Sequence, residues 1–561
     1  MVYVFAAVSL LIMLALFLMF NHKKLKEKQL FKLRENWGKA NSENIELAKL
    51  GWYNPAPGLS DYHKLTAQTL SDIDFFQLFA HINHTTSKIG EQFLFHKLQH
   101  PTNDLEQLTE LNQQAFFFTQ NPLLREEVQL ELNRLGSRDA YSVSLLLKEQ
   151  LIEPPKWLRY LTFDILALIA CIILSLKFSI AFLLAILIVA YNVTYLNYWN
   201  KRHILSFTKS LVQLDILIKV AQKLSKKNIP FDARAIKGAA VFKKIQRRIR
   251  LLFVQTNPSG AADLSQIPIY LFEIFKAIFL IDLFTIFGLI RSIEKNQQQV
   301  SKIFEYIGAM DMAISVASLR ASTDTWCNPS FTAAENKFSI KNVIHPLVFE
   351  CVPNSLEVLD KGMLITGSNM SGKTTFLRAL AINSLLAQTI YTCYAEHYIA
   401  PLLRLFSSIR IDDSIFEGKS YYLQEVTVMK ELIDNVPSGY RNIFLIDEIF
   451  KGTNTAERIA SAKAILSYLK KSANLVFVST HDVELSGLLS EDFDLYHFTE
   501  TILEDQMNFD HCLKKGPLTT RNAIKILTMS GYPEEITKEA SRLAENFNSK
   551  NPIDIQNKPF I

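Results

Sequence analysis

Gly367-Ser368-Asn369-Met370-Ser371-Gly372-Lys373-Thr374 is a complete G-x4-G-K-[ST] stretch, and its flanks supply the context that makes it more than a chance match. Leu364-Ile365-Thr366 before it is a β-branched run that reads as a strand, and Thr375 to Gln388 (TFLRALAINSLLAQ) after it has helical periodicity. Strand, glycine turn and helix make an α/β phosphate-binding loop. Gly367 and Gly372 let successive backbone N–H groups curl toward phosphate oxygens, and the helix N-terminus adds its positive end. Lys373 brings a cation to the outer phosphates, the Thr374 hydroxyl is a ligand for Mg2+, and Thr375 opens the helix beside them.

Two strands downstream carry matching chemistry. Asn442-Ile443-Phe444-Leu445-Ile446-Asp447-Glu448 is an apolar run ending in two carboxylates, the pattern of a buried parallel strand that delivers acids to the C-terminal edge of a sheet. Asp447 there would hold the magnesium through water, and Glu448 would polarise the attacking water. Leu475 to Thr480 reads as a further core strand, and His481 after it could reach the last phosphate. The expected catalytic set is therefore Glu448, His481 and Lys373, with Thr374 and Asp447 at the metal.

Composition bounds the rest. A chain of 561 residues has room for about two to four domains. Its 60 basic and 55 acidic residues leave a formal charge of only +5, too little to argue for nucleic acid from charge alone. Cys171, Cys327, Cys351, Cys393 and Cys512 are scattered without a CxxC pair, which excludes a zinc ribbon or a disulfide framework.

The hydrophobic content of 49% is concentrated rather than spread. Val2 to Phe20 is an uncharged run followed by His22, Lys23, Lys24, Lys26 and Lys28, and reads as an uncleaved anchor. Leu161 to Leu176, Lys177, and Phe178 to Tyr195 read as two short apolar helices joined by a tight turn. Lys156, Arg159, Lys201 and Arg202 flank this hairpin, with Trp157, Tyr160, Tyr191, Tyr195, Tyr198 and Trp199 at the positions of an aromatic belt. A membrane hairpin with both ends in the cytoplasm is expected, its alternative being a buried helical pair, and Asp164 near one end is expected to snorkel. A third apolar stretch, Ile267 to Ile290, carries Glu273, Lys276 and Asp282 and is expected to be a buried or amphipathic helix.

Taken together, the nucleotide motifs resemble the ATPase domain of the MutS mismatch-repair family, within the ABC ATPase superclass. TGSNMSGKTTFLR (Thr366 to Arg378) is similar to the family's TGPNMGGKST loop, with Ser368 in place of proline, Ser371 in place of glycine, and the distinguishing pair Asn369-Met370 kept. LIDEIFKGTNT (Leu445 to Thr455) resembles DEIGRGTST, and STHDVEL (Ser479 to Leu485) resembles ATHYFEL with its switch histidine. Asp413 to Tyr422, followed by Glu425, resembles the signature that one subunit offers to its partner's ATP, so the resemblance makes Gly418 and Ser420 trans residues of a homodimer. His345-Pro346 and Val352-Pro353-Asn354 resemble the segment lining the family's adenine pocket. Thr519 to Asn546, broken at Gly531-Tyr532-Pro533, resembles the dimerising helix-turn-helix. Leu78 to Pro101 resembles the start of the family's core domain, with its N-x-T-x-T-x-x-G pattern.

The expected architecture is α+β multidomain: an anchor (1–21), a basic linker (22–65), a helical core (66–155), the membrane hairpin (156–202), returning lever helices (203–330), an ABC-type ATPase domain (331–515) and a helix-turn-helix tail (516–561). ATP and Mg2+ are the implied cofactors, a second copy and the bilayer the implied partners, and the inner or plasma membrane the implied location. No Phe-x-Glu reading motif precedes residue 70, so the resemblance does not extend to the mismatch-binding domain. The leading expectation is a membrane-anchored ATPase whose composite sites drive a conformational switch. Its alternative is a tethered factor that clamps duplex or branched DNA, with Lys243 to Arg250 as the local basic candidate. An ABC transporter subunit would need an LSGGQ-type signature between the ATP motifs, and none is there.

Overall fold

The computed structural model describes residues 2–40, 45–55, 62–147, 159–234, 236, 240–252, 267–332, 337–410, 421–437, 439–503, 506–518 and 523–550. Along the chain the first helices are α1 (Val2–Glu35), α2 (Leu47–Leu50), α3 (Ala67–Asp72), α4 (Phe75–Ile82), α5 (Lys88–Gln99), α6 (Leu105–Gln120) and α7 (Pro122–Leu132). They are followed by α8 (Leu161–Leu174), α9 (Ser179–Tyr191), α10 (Asn197–Leu224), α11 (Ala240–Leu252), α12 (Ile267–Ile278), α13 (Ile281–Lys295) and α14 (Gln297–Arg320). Strands β1 (Ser330–Phe331), β2 (Lys337–Val343), β3 (Asn354–Leu359) and β4 (Gly362–Thr366) then lead to α15 (Lys373–Ala387). Next come β5 (His397–Ala400), β6 (Arg404–Ser408), α16 (Tyr421–Asp434), β7 (Asn442–Asp447), α17 (Thr455–Leu469), β8 (Leu475–Thr480) and α18 (Glu484–Leu488). The chain closes with β9 (Phe493–His497), β10 (Glu500–Leu503), β11 (Gln506–Phe509), β12 (Lys514–Lys515), α19 (Ala523–Met529) and α20 (Glu534–Lys550).

The chain divides into two units. The helical unit comprises residues 1–64, 76–324 and 389–391. Its axis is α14, whose buried residues include Phe304, Met310, Ile314 and Leu319 on more than one face, as expected of a helix enclosed by others. Facing it, the Asn83-x-Thr85-x-Ser87-x-x-Gly90 stretch is a helix start. Asn83 Oδ1 accepts from Thr85 N (3.2 Å), and the N-cap Ser87 Oγ accepts from Gly90 N (2.9 Å).

The apolar stretch expected to stay out of the bilayer is α12 and α13, separated at Leu280, which takes the left-handed φ of 52°. Lys276 is buried there and compensated, its ammonium lying 2.7 Å from Glu273 Oε1 and 3.4 Å from Asp282 Oδ1.

The expected membrane location is overturned: among the described residues no helix is long and apolar enough to cross a membrane. The hairpin folds as two helices, but α8 has 14 residues and α9 has 13, about 20 Å each at 1.5 Å per residue, against a hydrocarbon core of about 30 Å. A π-helical turn, Asn192–Leu196, ends α9. Its Asn192 is buried and donates from Nδ2 to Asp164 Oδ2 (2.9 Å) and to the Ile278 carbonyl (3.1 Å), so Asp164 has a side-chain partner in place of the expected snorkelling. Val2 to Phe20 is continuous with the basic segment in α1. Lys156 and Trp157 lie outside the described residues, as do the side chains of Tyr195, Tyr198, Trp199, Lys201 and Arg202.

The second unit comprises residues 65–75, 325–388 and 392–561. Its main sheet has the order β12-β9-β4-β8-β7-β6, with β9, β4, β8, β7 and β6 parallel and β12 antiparallel at the edge. All five residues of β4 and all six of β8 are buried, which is why both read as unbroken apolar runs. Leu364, Phe444, Ile446, Val476, Val478 and Phe493 share one core. A smaller sheet, β1-β5-β2-β3, and the antiparallel pair β10-β11 complete the unit. Residues 65–75, remote in sequence, join it through Asp72, whose buried carboxylate accepts from Ser407 Oγ (2.6 Å), Ile409 N (3.0 Å) and Arg410 N (2.7 Å) at the end of β6. Next to it, Asp74 pairs with Arg378 of α15 (2.8 Å) and with Arg410 (2.7 Å).

Candidate nucleotide site

Adjacent parallel strands bring the expected residues to one sheet edge. In register, Thr366 of β4 lies beside Thr480 of β8, and Asp447 of β7 lies beside Ser479 of β8. Gly367 takes φ 145°, and a Cβ there would stand 2.6 Å from the Phe498 carbonyl oxygen. Gly372 takes φ 112° immediately before α15, so both glycines of the motif occupy backbone that other residues adopt only with strain.

Inside the loop, Lys373 Nζ donates to the Gly367 carbonyl (2.7 Å) and the Ser368 carbonyl (2.8 Å), and Ser371 Oγ also donates to the Ser368 carbonyl (2.7 Å). Burial pushes the Lys373 ammonium down to about 8, against the opposing fields of Asp447, Glu448 and Glu500. Thr374 Oγ1 donates to Asp447 Oδ2 at 2.6 Å, and Ser479 Oγ donates to the other Asp447 oxygen. A hydroxyl and a carboxylate oxygen side by side are the hard donors Mg2+ takes, and because this ion keeps several waters it needs few protein ligands. The set therefore fits magnesium, although among the described residues no group of three or more His, Cys, Asp and Glu could hold a metal by itself.

Glu448 follows Asp447 with a φ of 61°, off the end of the strand, and its N–H donates to the Ser479 carbonyl (3.0 Å). Its Oε1 lies 2.8 Å from His481 Nε2, and its Oε2 lies 3.3 Å from Lys451 Nζ. Burial would raise this carboxyl, but the His481 hydrogen bond and the nearby Lys451 outweigh burial and hold it at about 2. The loops carrying these groups are braced from behind. Arg458 of α17 makes a two-pronged bond to Asp482 (2.8 and 2.6 Å), and Glu425 of α16 accepts from Lys451 N (3.0 Å).

Beside the loop lies a cavity of about 290 Å³ whose lining includes Val352, Asn354, Met370, Gly372, Thr374, Thr375, Phe376 and His511. The Asn354 amide is committed to backbone: Nδ2 donates to the Val352 carbonyl (3.2 Å) and the His511 carbonyl (2.9 Å), and Oδ1 accepts from Leu513 N (2.7 Å). Asn354 thus shapes the cavity by holding the 511–513 segment. Met370 is exposed, whereas Ser371 is buried. Gly418, Ser420 and the Asn369 side chain lie outside the described residues.

His511 and Glu500 were not singled out from sequence. His511 accompanies the cavity and bonds through Nδ1 to the Ser371 carbonyl (3.1 Å), while Glu500 accepts from Ser368 Oγ (3.0 Å). Nothing local marks either of them: Glu500 opens β10 and His511 lies two residues beyond β11.

A glycine loop between a buried parallel strand and a helix, with an acid-tipped strand delivering Asp447 to the loop threonine, defines a phosphate-loop α/β unit. Residues 363–548 match the family model described as MutS domain V. The DNA mismatch repair protein MutS of Carboxydothermus hydrogenoformans is 31% identical over 282 residues, 48% of this chain and 33% of that protein. The proteins of the same name from Lactobacillus delbrueckii and Natronomonas pharaonis are 29% identical over 278 residues and 28% over 256, covering 32% and 29% of their lengths. Over residues 363–548 the chain thus matches MutS domain V, and it is similar to these MutS proteins over a little under half its length. It spans about a third of the length of these curated relatives.

Proposed function

We propose that this chain is an ATPase of the MutS type, binding MgATP between the phosphate loop and the 511–513 segment and hydrolysing it at the Asp447-Glu448 edge. The observation that carries the reading is the 2.6 Å bond from Thr374 Oγ1 to Asp447 Oδ2, with Glu448 and His481 paired next to it. Lys373 leaves its two loop carbonyls for the β- and γ-phosphates, which the loop amides and the α15 N-terminus also receive. Thr374 and Asp447 would hold Mg2+, which when bound would supply positive charge to the phosphates. Glu448 is ionised at neutral pH, so it orients and polarises the water rather than storing its proton, and His481 is set to turn from Glu448 to the γ-phosphate. By the resemblance, a second copy completes each site, so the working form is a homodimer that ATP closes.

Lys373 gives the reading a pH signature. Its ammonium, held at about 8, loses its proton as pH rises, and the neutral amine no longer attracts phosphate. MgADP affinity is expected to fall by about tenfold between pH 7 and pH 9, one pKa unit past the midpoint, as read by titration calorimetry. Affinity unchanged over that range would contradict the placement of phosphate on Lys373.

One observation favours a DNA-directed role. Helix α11 buries Phe242, Ile245 and Ile249 and exposes Lys243, Lys244, Arg247 and Arg250, a cationic face suited to phosphodiester backbone, and the relatives are named for DNA mismatch repair. Duplex, mismatched or branched DNA is then expected to change ATP turnover of the full chain by at least about twofold at low salt, with the effect fading as salt rises. Turnover indifferent to all three substrates would sink the DNA role and leave the ATPase standing.

A further inference from the structure

Ser368, inside the phosphate loop, is tied to a residue outside every nucleotide motif. Its Oγ donates to Glu500 Oε2 (3.0 Å), and its carbonyl receives both Lys373 Nζ (2.8 Å) and Ser371 Oγ (2.7 Å). The position of Ser368 therefore sets the position of the ammonium that the phosphates must recruit.

Glu500 is itself fixed. Two residues earlier, Phe498 N donates to the Thr366 carbonyl (3.0 Å), and the Phe498 carbonyl oxygen occupies the space a Cβ on Gly367 would need. Glu500 pairs in register with Phe509 across the β10-β11 hairpin, and two residues beyond Phe509 the His511 ring bonds to the Ser371 carbonyl (3.1 Å). One hairpin thus grips the phosphate loop at both ends, by a carboxylate at Ser368 and an imidazole at Ser371. The carboxylate end is the anomalous one, because a fixed negative charge beside a phosphate loop opposes the ligand the loop is shaped to bind.

We propose that Glu500 is a positioning residue whose negative charge lowers the nucleotide affinity of the loop, while its hydrogen bond from Ser368 Oγ moderates that charge. The proposal rests on the nucleotide-binding reading above and deepens it. The bond and the charge act in opposite directions. The bond keeps the carboxylate turned onto Ser368 and partly neutralised by the hydroxyl dipole, while the charge repels the incoming phosphates. Substitutions can separate them.

Glu500→Gln removes the charge and keeps an acceptor for the Ser368 hydroxyl. MgADP titrated into the full-length variant is expected to bind about fivefold tighter than to the wild type, with KM for ATP falling by the same factor and kcat changing less than about twofold. Ser368→Ala removes the hydroxyl dipole that moderates the carboxylate, so binding is expected to weaken by about threefold, and Ser368→Thr, which restores a hydroxyl, is expected to reverse that loss. A merely structural hairpin contact predicts instead that Glu500→Gln and Ser368→Ala shift affinity in the same direction. That result, or unchanged affinity in Glu500→Gln, overturns the role given to Glu500 while leaving the nucleotide site intact. Failure of the wild type and all three variants to bind MgADP would sink the nucleotide reading and this proposal together.

Discussion

Replacing Glu448 by glutamine is expected to lower ATP turnover by about 100-fold or more, while MgATP affinity stays within about threefold of the wild type. The asymmetry follows from geometry. Glu448 is off the end of β7, held by His481 at 2.8 Å and Lys451 at 3.3 Å, and takes no part in the loop bonds made by Lys373, Ser368 and Ser371. Glutamine nearly matches its shape and still accepts a hydrogen bond from His481, but it offers attacking water a neutral amide in place of a carboxylate. Chemistry should fail while binding survives. A variant that turned over ATP at the wild-type rate would show that another group activates the water. One that also lost affinity would show that the Glu448-His481 pair holds the nucleotide.

Asp311→Ala is expected to destabilise the helical unit by about 3–5 kcal/mol, the loss typical of breaking a buried, multiply bonded charge. Asp311 of α14 is wholly buried and accepts from Thr86 N (2.9 Å), Ser87 N (2.7 Å) and Ser87 Oγ (2.6 Å). Alanine would leave two buried donors of Ser87 and the part-buried Thr86 N without this acceptor at the start of α5, and a void beside it. The same contact explains Gly90, because a Cβ there would stand 2.2 Å from Asp311 Oδ2. Chemical denaturation of the variant should show a lowered midpoint in the transition of the helical unit. A shift below about 1 kcal/mol would mean that water replaces the carboxylate.

These two sites differ in how much of them could be read from the chain. The convergence of the Gly367–Thr374 loop, Asp447-Glu448 and His481 on one sheet edge was legible because each is fixed by its own neighbours, a strand before and a turn or helix after. The alternation of apolar strands and helical stretches also made the parallel sheet legible. Asp311 against Ser87 was not, since 224 residues separate them and nothing local marks an aspartate as a helix cap for another segment. Glu500 against Ser368, 132 residues apart, is the same case. So is residues 65–75 joining the nucleotide-binding unit, a docking that depends on the Asp72 carboxylate meeting the amides of Ile409 and Arg410.

The membrane expectation failed for a different reason. Hydropathy counts apolar residues but does not say where a helix ends. Residues 161–195 read as two apolar helices, and they are two, yet α8 stops at Leu174 and α9 at Tyr191. The polar pair Asn192 and Asp164 then ties the base of the hairpin to α12 through the Ile278 carbonyl.

The measurement that bears most directly on the central claim is titration of MgATP into the full-length Glu448→Gln chain, where binding can be read without turnover. Saturable binding of one nucleotide per chain, abolished when Mg2+ is chelated and when Lys373 is also replaced by alanine, is the result predicted. No binding, or binding indifferent to Lys373, would contradict the assignment of this loop as the nucleotide site.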